Sequence, residues 1–246
     1  MFDLTKFSDI APVWSARLRH HHELASTNDE ALRLCGLGVD NLTIVLADHQ
    51  LAGRGRRGAA WLSEPGAGLL FSIIFKPDYG KEHWGRLALA AGLAIATALR
   101  ECWQLDAEVK WPNDVIIEDK KCCGVLVETQ EDYVVIGVGI NVTGAPAGDD
   151  TVALRDLTPH GGSREELFSE LLDQLFIEMS ACADCFDAQH SRLQEICYLT
   201  GKEITFRAAG VEYSGTMQGI SPEGELTVSI NGEVQQFLQA DTIRII

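Results

Sequence analysis

Apolar residues in this chain fall into short unbroken runs and into helix-spaced or alternating sets, separated by stretches rich in glycine, asparagine or charge. Residues 41–47, with Leu-Thr-Ile-Val-Leu at their centre, predict a buried strand; residues 69–75 predict another, ended by Lys76-Pro77-Asp78. From Lys81 to Trp103 alanine and leucine dominate without proline, which predicts one long, largely buried helix. A strand from Glu108 is broken at Pro112 and resumes, Glu118-Asp-Lys-Lys121 reads as a charged hairpin turn, and residues 122–128 form the next strand. Residues 133–141 form a third, whose alternate glycines leave one face bare for a ligand or for close packing. Ser26, Thr27, Asn28 and Asp29 precede the periodic Ala31, Leu32 and Leu34, with Glu30 three residues after Thr27, as at a capped helix start. Ser163-Arg-Glu-Glu caps a further helix running towards Met179, and residues 193–197 close the helical region.

Beyond Gly201 the pattern changes to short alternating strands at 203–207, 213–220, 225–230 and 234–238, with turns at Gly210, Pro222-Glu-Gly224 and Asn231-Gly232. This texture predicts a small β-barrel. Before Glu23 no second apolar periodic segment is long enough for a helix-turn-helix, so an N-terminal DNA-binding module is not expected.

Composition narrows the partners. The 246 residues carry a net charge of −16, which repels a polyanion unless basic residues share one face. The longest apolar stretch, 87–99, is too short to span a bilayer, and the first residues lack the plan of a secretory signal, so a cytosolic protein is expected. Seven cysteines without a regular framework agree with a reducing compartment. Cys182 and Cys185 have redox or zinc spacing, but lie in an apparently helical stretch. Of the run His20-His21-His22, three consecutive side chains cannot all face one ion on a regular element.

The local exception to the acidic balance is Gly53-Arg54-Gly55-Arg56-Arg57-Gly58. Its glycines allow close backbone approach to an anion and its arginines suit phosphate or carboxylate, so a mobile loop that orders on an anionic ligand is expected; a solvated turn is the alternative. Gln50 stands where the strand meets this loop, and Trp61 follows as an apolar wall or plain core.

The loop, Lys110-Trp-Pro-Asn113-Asp114, Asp119-Lys-Lys121 with Gly124-Val-Leu, and Gly137-Val-Gly-Ile-Asn141, in that order, resemble the biotin protein ligases in their short form without an N-terminal DNA-binding domain. The resemblance runs from about Leu24 to Asn141. Ala25, Ala59 and the pair Cys122-Cys123 depart from its usual residues. It implies a mixed α+β fold: a central mixed β-sheet flanked by helices, of the class II aminoacyl-tRNA synthetase/biotin ligase kind, in residues 1–198, then an SH3-like β-barrel in 199–246.

It also implies ATP-dependent formation of biotinyl-5′-AMP and transfer of biotin to a lysine of a biotin carboxyl carrier domain. Ser26, Thr27, Asn28 and Gln50 would line the ureido pocket. Arg54, Gly55 and Arg56, within the loop that includes Gly53, Arg57 and Gly58, would close over the carboxylate and phosphate. Lys121 would sit at the reacting carboxylate and α-phosphate, Asn113 and Asp114 near the phosphates and Mg2+, and Asn141 at adenine. Trp61, Lys110 and Gly124 complete the nucleotide and biotin set. Lys121, Arg56 and Asp114 are the catalytic candidates. A homodimer is a family expectation, and neither nucleic acid nor membrane is an expected partner. A lipoate ligase or lipoyl transferase, and a biotin or biotinyl-AMP sensor without turnover, are the alternatives.

Overall fold

A computed structural model of the protein describes residues 1–148 and 150–246. Two short helices, α1 (Leu4–Ile10) and α2 (Pro12–Ser15), lead into strand β1 (Leu18–Leu24), helix α3 (Thr27–Cys35) and strands β2 (Thr43–Gln50) and β3 (Gly68–Phe75). Helix α4 (Leu87–Trp103) follows, then β4 (Glu108–Lys110), β5 (Asp114–Ile117), β6 (Lys120–Gln130) and β7 (Tyr133–Asn141). These strands form one sheet in the order β1-β2-β3-β7-β6-β5-β4, in which only β1 and β2 run parallel. The mixed sheet and its flanking helices match the expected class.

Strand alternation divides the core between the two faces. Ile44, Leu46, Phe71, Ile73, Val134 and Ile136 join α4 and helix α6 (Arg164–Ser180) in the larger core, whereas Val45, Ile74 and Val135 pack under Ala31, Leu34 and Cys35 of α3. The nine-residue α3 is too short to cover its face. The uncovered part of that face holds the site described below.

The predicted helix from Lys81 begins as a 3-10 segment (Lys81–Arg86) containing Gly85, a weak helix former, and becomes α-helical only at Leu87. The hairpin turn after β5 is confined to Glu118 and Asp119, both with positive φ, so Lys120 and Lys121 belong to β6. Cys182 and Cys185 lie in the turn before helix α7 (Phe186–Glu195), not within a helix. Strand β1 and helices α1 and α2 carry too few apolar positions to have been read from the sequence. Ser163 caps α6 as anticipated: its hydroxyl accepts from the Glu166 N–H, and the Glu166 carboxylate accepts from the Ser163 N–H at 2.7 Å. Ser163→Ala is expected to remove about 1 kcal/mol and lower Tm by roughly 2–4 °C in a thermal melt; an unchanged Tm contradicts this role.

Helix α5 (Leu154–Leu157) and then α6 and α7 lead to a second, antiparallel sheet. It comprises β8 (Glu203–Ala208), β9 (Val211–Ile220), β10 (Leu226–Ile230), β11 (Glu233–Phe237) and β12 (Asp241–Ile245), in the order β11-β10-β9-β8-β12. Phe206, Tyr213 and Phe237 pack together inside it. The last strand was not anticipated. The Trp111 indole N–H donates to the Gly224 carbonyl at 3.0 Å, and one hydrophobic core runs through both sheets. No helix among the described residues is long and apolar enough to cross a membrane.

Candidate active site

The strand registers explain why a cavity forms where it does. Val45, Ser72, Gly137 and Leu126 make one rung across β2, β3, β7 and β6; Ala47, Leu70, Gly139 and Gly124 make the next. Where these rungs carry glycine there is no side chain on the sheet, and neighbouring groups descend onto it. A Cβ on Gly137 would land on the Asn28 amide oxygen, and one on Gly139 would lie 2.5 Å from Cε2 of the Trp61 indole. The bare strand face predicted from alternate glycines is therefore filled by Asn28 and Trp61. Between and beside them lies a cavity of about 380 Å3.

Its closed end is built on the first turn of α3. Ser26, Thr27 and Asn28 are all buried. Ser26 is the N-cap, one residue earlier than the Thr27–Glu30 spacing suggests; Glu30 instead pairs with Arg33. Thr27 donates its N–H to the Gln50 side-chain oxygen at 2.7 Å, and its hydroxyl lies 3.1 Å from the same oxygen. The Ser72 hydroxyl lies 2.6 Å from Oδ1 of Asn28, whose Nδ2 donates to Glu128 at 2.8 Å. Gln50 thus stands behind Thr27 as a support and does not itself line the cavity.

The glycine-arginine segment folds back on itself. Gly55 donates to the Ala59 carbonyl, Trp61 donates to the Gly53 carbonyl, and the turn passes through Arg57 and Gly58, both with positive φ. Gly53 is required by close approach, since a Cβ there would lie 2.6 Å from the Trp61 carbonyl oxygen. Gly53 and Gly58 shape the loop without lining the cavity.

The like charges of the three arginines are offset by the protein's own groups. Arg54 forms a bidentate fork with Glu128 at 3.1 and 3.0 Å and meets Asp29 at 2.5 Å; the Glu128 hydrogen bond chiefly raises its pKa. Arg57 pairs with Asp241, and Arg56 reaches Asn113 at 3.3 Å and the Ala240 carbonyl at 3.4 Å. Burial and the adjacent Arg57 lower the Arg56 pKa, though an arginine remains charged at neutral pH.

A second cavity of about 270 Å3 adjoins the first. Trp61 and Lys121 line both, and Asn141 and Asp150 line the second. Lys121 owes its position to a β-bulge: Val115 pairs with Cys123 whereas Ile116 pairs with Lys121, so β6 gains one residue and Lys121 joins the cavity face. The same bulge lets Cys122 and Cys123 both be buried. Burial pushes Cys122 up to about 12 and Cys123 well above its ordinary value, which leaves both as inert thiols. Lys121 Nζ lies 2.7 Å from Asp114 and 5.5 Å from the centre of the Trp61 ring.

Most of the residues singled out in the sequence therefore converge. Ser26, Thr27, Asn28, Arg54, Gly55, Arg56, Arg57, Trp61, Asn113, Asp114, Lys121 and Gly124 line the first cavity, and Asn141 the second. Lys110, opposite Asp114 in the β4–β5 register, lines neither, and burial lowers its pKa. Sequence reasoning missed Ser72, Glu128, Asp241 and Thr242. Ser72 was legible as the one hydroxyl within an apolar strand, and Glu128 as the carboxylate ending another. The alternation of Ile243 and Ile245 was the signal for β12.

For oxygen-seeking cations, Asp114 and the side-chain oxygen of Asn113 fit the sparse donor set that Mg2+ takes beside substrate phosphates. They are the cavity's adjacent carboxylate and amide, at the start of β5.

Comparison with known proteins follows the same residues. The model of the biotin/lipoate A/B protein ligase family matches residues 24–141. The bifunctional ligase/repressor BirA of Bacillus subtilis is 30% identical, over 93% of this chain and 74% of that protein. The biotin–[acetyl-CoA-carboxylase] ligase of Paracoccus denitrificans is 32% identical, over 82% and 89%. Among solved structures, the biotin protein ligase from Aquifex aeolicus in complex with biotin and ATP superimposes with a TM-score of 0.83 at 27% identity, over 93% of this chain and 99% of that one. The order of the motifs, the fold and these likenesses agree: the chain belongs to the biotin/lipoate A/B protein ligase family.

Proposed function

We propose that the protein is an ATP-dependent biotin protein ligase that makes biotinyl-5′-AMP and transfers the biotinyl group to a lysine of a biotin carboxyl carrier domain. The observation that carries this reading is that Lys121 and Trp61 line both cavities. A carboxylate entering from the first and an α-phosphate entering from the second meet beside one ammonium group.

In this reading the buried hydroxyl and amide groups of Ser26, Thr27 and Asn28 hold the ureido ring, with Gln50, Ser72 and Glu128 fixing their orientation. Arg54 closes that end through its two carboxylate partners. A biotin carboxylate oxygen attacks the α-phosphorus, and the bond to the departing pyrophosphate breaks. Lys121 and Arg56 offset the repulsion between the two anions and stabilise charge growing on the phosphoryl oxygens. Asp114 and Asn113 would hold Mg2+, which neutralises phosphate charge when bound, and Asn141 faces adenine. In the second step the acceptor amine attacks the acyl carbon and AMP leaves. A water-excluding loop retains the reactive anhydride until then.

Arg56→Ala is expected to release adenylate and to raise labelling of non-cognate lysines about ten-fold. Adenylate release equal to that of the parent contradicts this role. The activity itself is tested by ATP–pyrophosphate exchange with biotin and lipoate supplied separately. Biotin-dependent exchange supports the proposal; exchange with lipoate alone assigns the chain to lipoate chemistry, and none with either leaves a binding protein.

A further inference from the structure

Strand β1 and the end of β2 place two imidazoles and a carboxylate together, away from the cavities described above. Residues His20 and His22 are two apart on β1 and so project to one side, while His21 between them projects to the other. The parallel register sets His21 beside Ala47 and Glu23 beside His49, which brings Asp48 to the His22 level. Nε2 of His20 lies 3.1 Å from Oδ2 of Asp48, and Nδ1 of His22 lies 3.2 Å from the same oxygen. All three potential ligand atoms fall within 4.8 Å of one another.

We propose that His20, His22 and Asp48 form a zinc(II) site that fastens β1 to β2. Zinc bonds of about 2.0 to 2.2 Å in a tetrahedron separate donor atoms by about 3.3 to 3.5 Å. The two histidine–aspartate spacings need to open by only a few tenths of an ångström to receive the ion, and the two imidazole nitrogens, within 4.8 Å of each other, need to settle to a similar separation. Two imidazoles and one carboxylate suit zinc rather than magnesium or calcium, which take oxygen donors.

The surroundings resemble a built site on one side and an open one on the other. The side chains of His20 and Asp48 are 8% and 5% exposed, so the buried pair is held by packing, whereas His22 is 76% exposed and leaves the solvent side for a water as fourth ligand. The remaining carboxylate oxygen of Asp48 accepts the Phe2 N–H at 2.7 Å, which orients the group in the way outer-shell partners orient metal ligands. Each imidazole binds zinc as the neutral ring. A neutral ring that faces Asp48 through its N–H moves that proton to its other nitrogen, and an imidazolium loses the Asp48-facing proton to solvent and keeps its other N–H, so either way one bare nitrogen meets the ion. No electron transfer is involved.

The test uses the full, untagged chain after chelator treatment, titrated with zinc chloride by isothermal calorimetry and followed by thermal melting. One zinc per chain with micromolar or tighter affinity is expected, together with a Tm rise of roughly 5 to 10 °C when zinc is at a hundred-fold excess over its dissociation constant. His22→Ala, an exposed change that does not threaten folding, is expected to weaken binding by at least about ten-fold, and Asp48→Asn, which keeps an oxygen for the Phe2 N–H, by a similar factor. His21→Ala is expected to bind as the parent does. Equal loss in His21→Ala and His22→Ala would assign binding to the exposed histidine run and overturn the site, as would parent-like affinity in His22→Ala or no saturable binding by the parent.

Discussion

Lys121→Ala is expected to reduce biotin-dependent ATP–pyrophosphate exchange by about a hundred- to a thousand-fold, with the biotin dissociation constant changed little. Its ammonium group is the cation shared by both cavities, and Asp114 at 2.7 Å fixes where it points. Removing one such preorganised charge typically costs about 3 to 4 kcal/mol of transition-state stabilisation. Arginine at this position should not rescue the rate, because a planar fork on a longer arm cannot reproduce a point charge beside Trp61 and Asp114. The adjacent Lys120 supplies the control. It is exposed, on the other side of β6, and Lys120→Ala should leave exchange unchanged. A Lys121→Ala rate within ten-fold of the parent would remove Lys121 from the chemistry.

The second large effect is expected from the smallest substitution. Gly137→Ala places a methyl group where the Asn28 amide oxygen sits. That amide is buried and tied on both sides, to Ser72 at 2.6 Å and to Glu128 at 2.8 Å, so it cannot swing aside without leaving polar groups unpaired. Each buried group so stranded costs about 1–3 kcal/mol. Biotin affinity should therefore fall by about ten- to a hundred-fold, with a lower Tm. Asn28→Ala removes the same hydrogen bonds without the collision. Equal losses in the two variants would assign the effect to the amide; a larger loss in Gly137→Ala would measure the collision. Parent-like biotin binding by Gly137→Ala would mean that Asn28 does not recognise the ligand.

Much of the architecture was legible because unbroken apolar runs become central strands: β3 and β7 lie within a residue of the segments that predicted them, and β2 is displaced by two residues at its start and three at its end. Leu-Arg-His-His-His-Glu-Leu gives no such signal, because β1 is an edge strand with one neighbour and needs little apolar surface. Lys121 was identified as chemistry but assigned to a turn. Four charged residues in a row look like a loop, and a bulge that shifts a strand by one residue leaves no mark in local composition. The arginine partners were invisible for another reason. Glu128 lies 74 positions beyond Arg54, and the Ala240 carbonyl 184 beyond Arg56, so only the fold reveals that the loop's charges are already compensated.

The cavity's lining begins at Ser26 and ends at Thr242. Bringing such distant residues together requires closing nearly the whole chain into one loop, the kind of contact that forms late and slowly in folding. During synthesis the floor of the pocket, built from β2, β3, β6 and β7, emerges about a hundred residues before Asp241 arrives to meet Arg57. The Arg57–Asp241 pair is thus made only with the final strand, and a nascent chain that has not yet reached it exposes the glycine-bearing floor without the contact that secures the loop above.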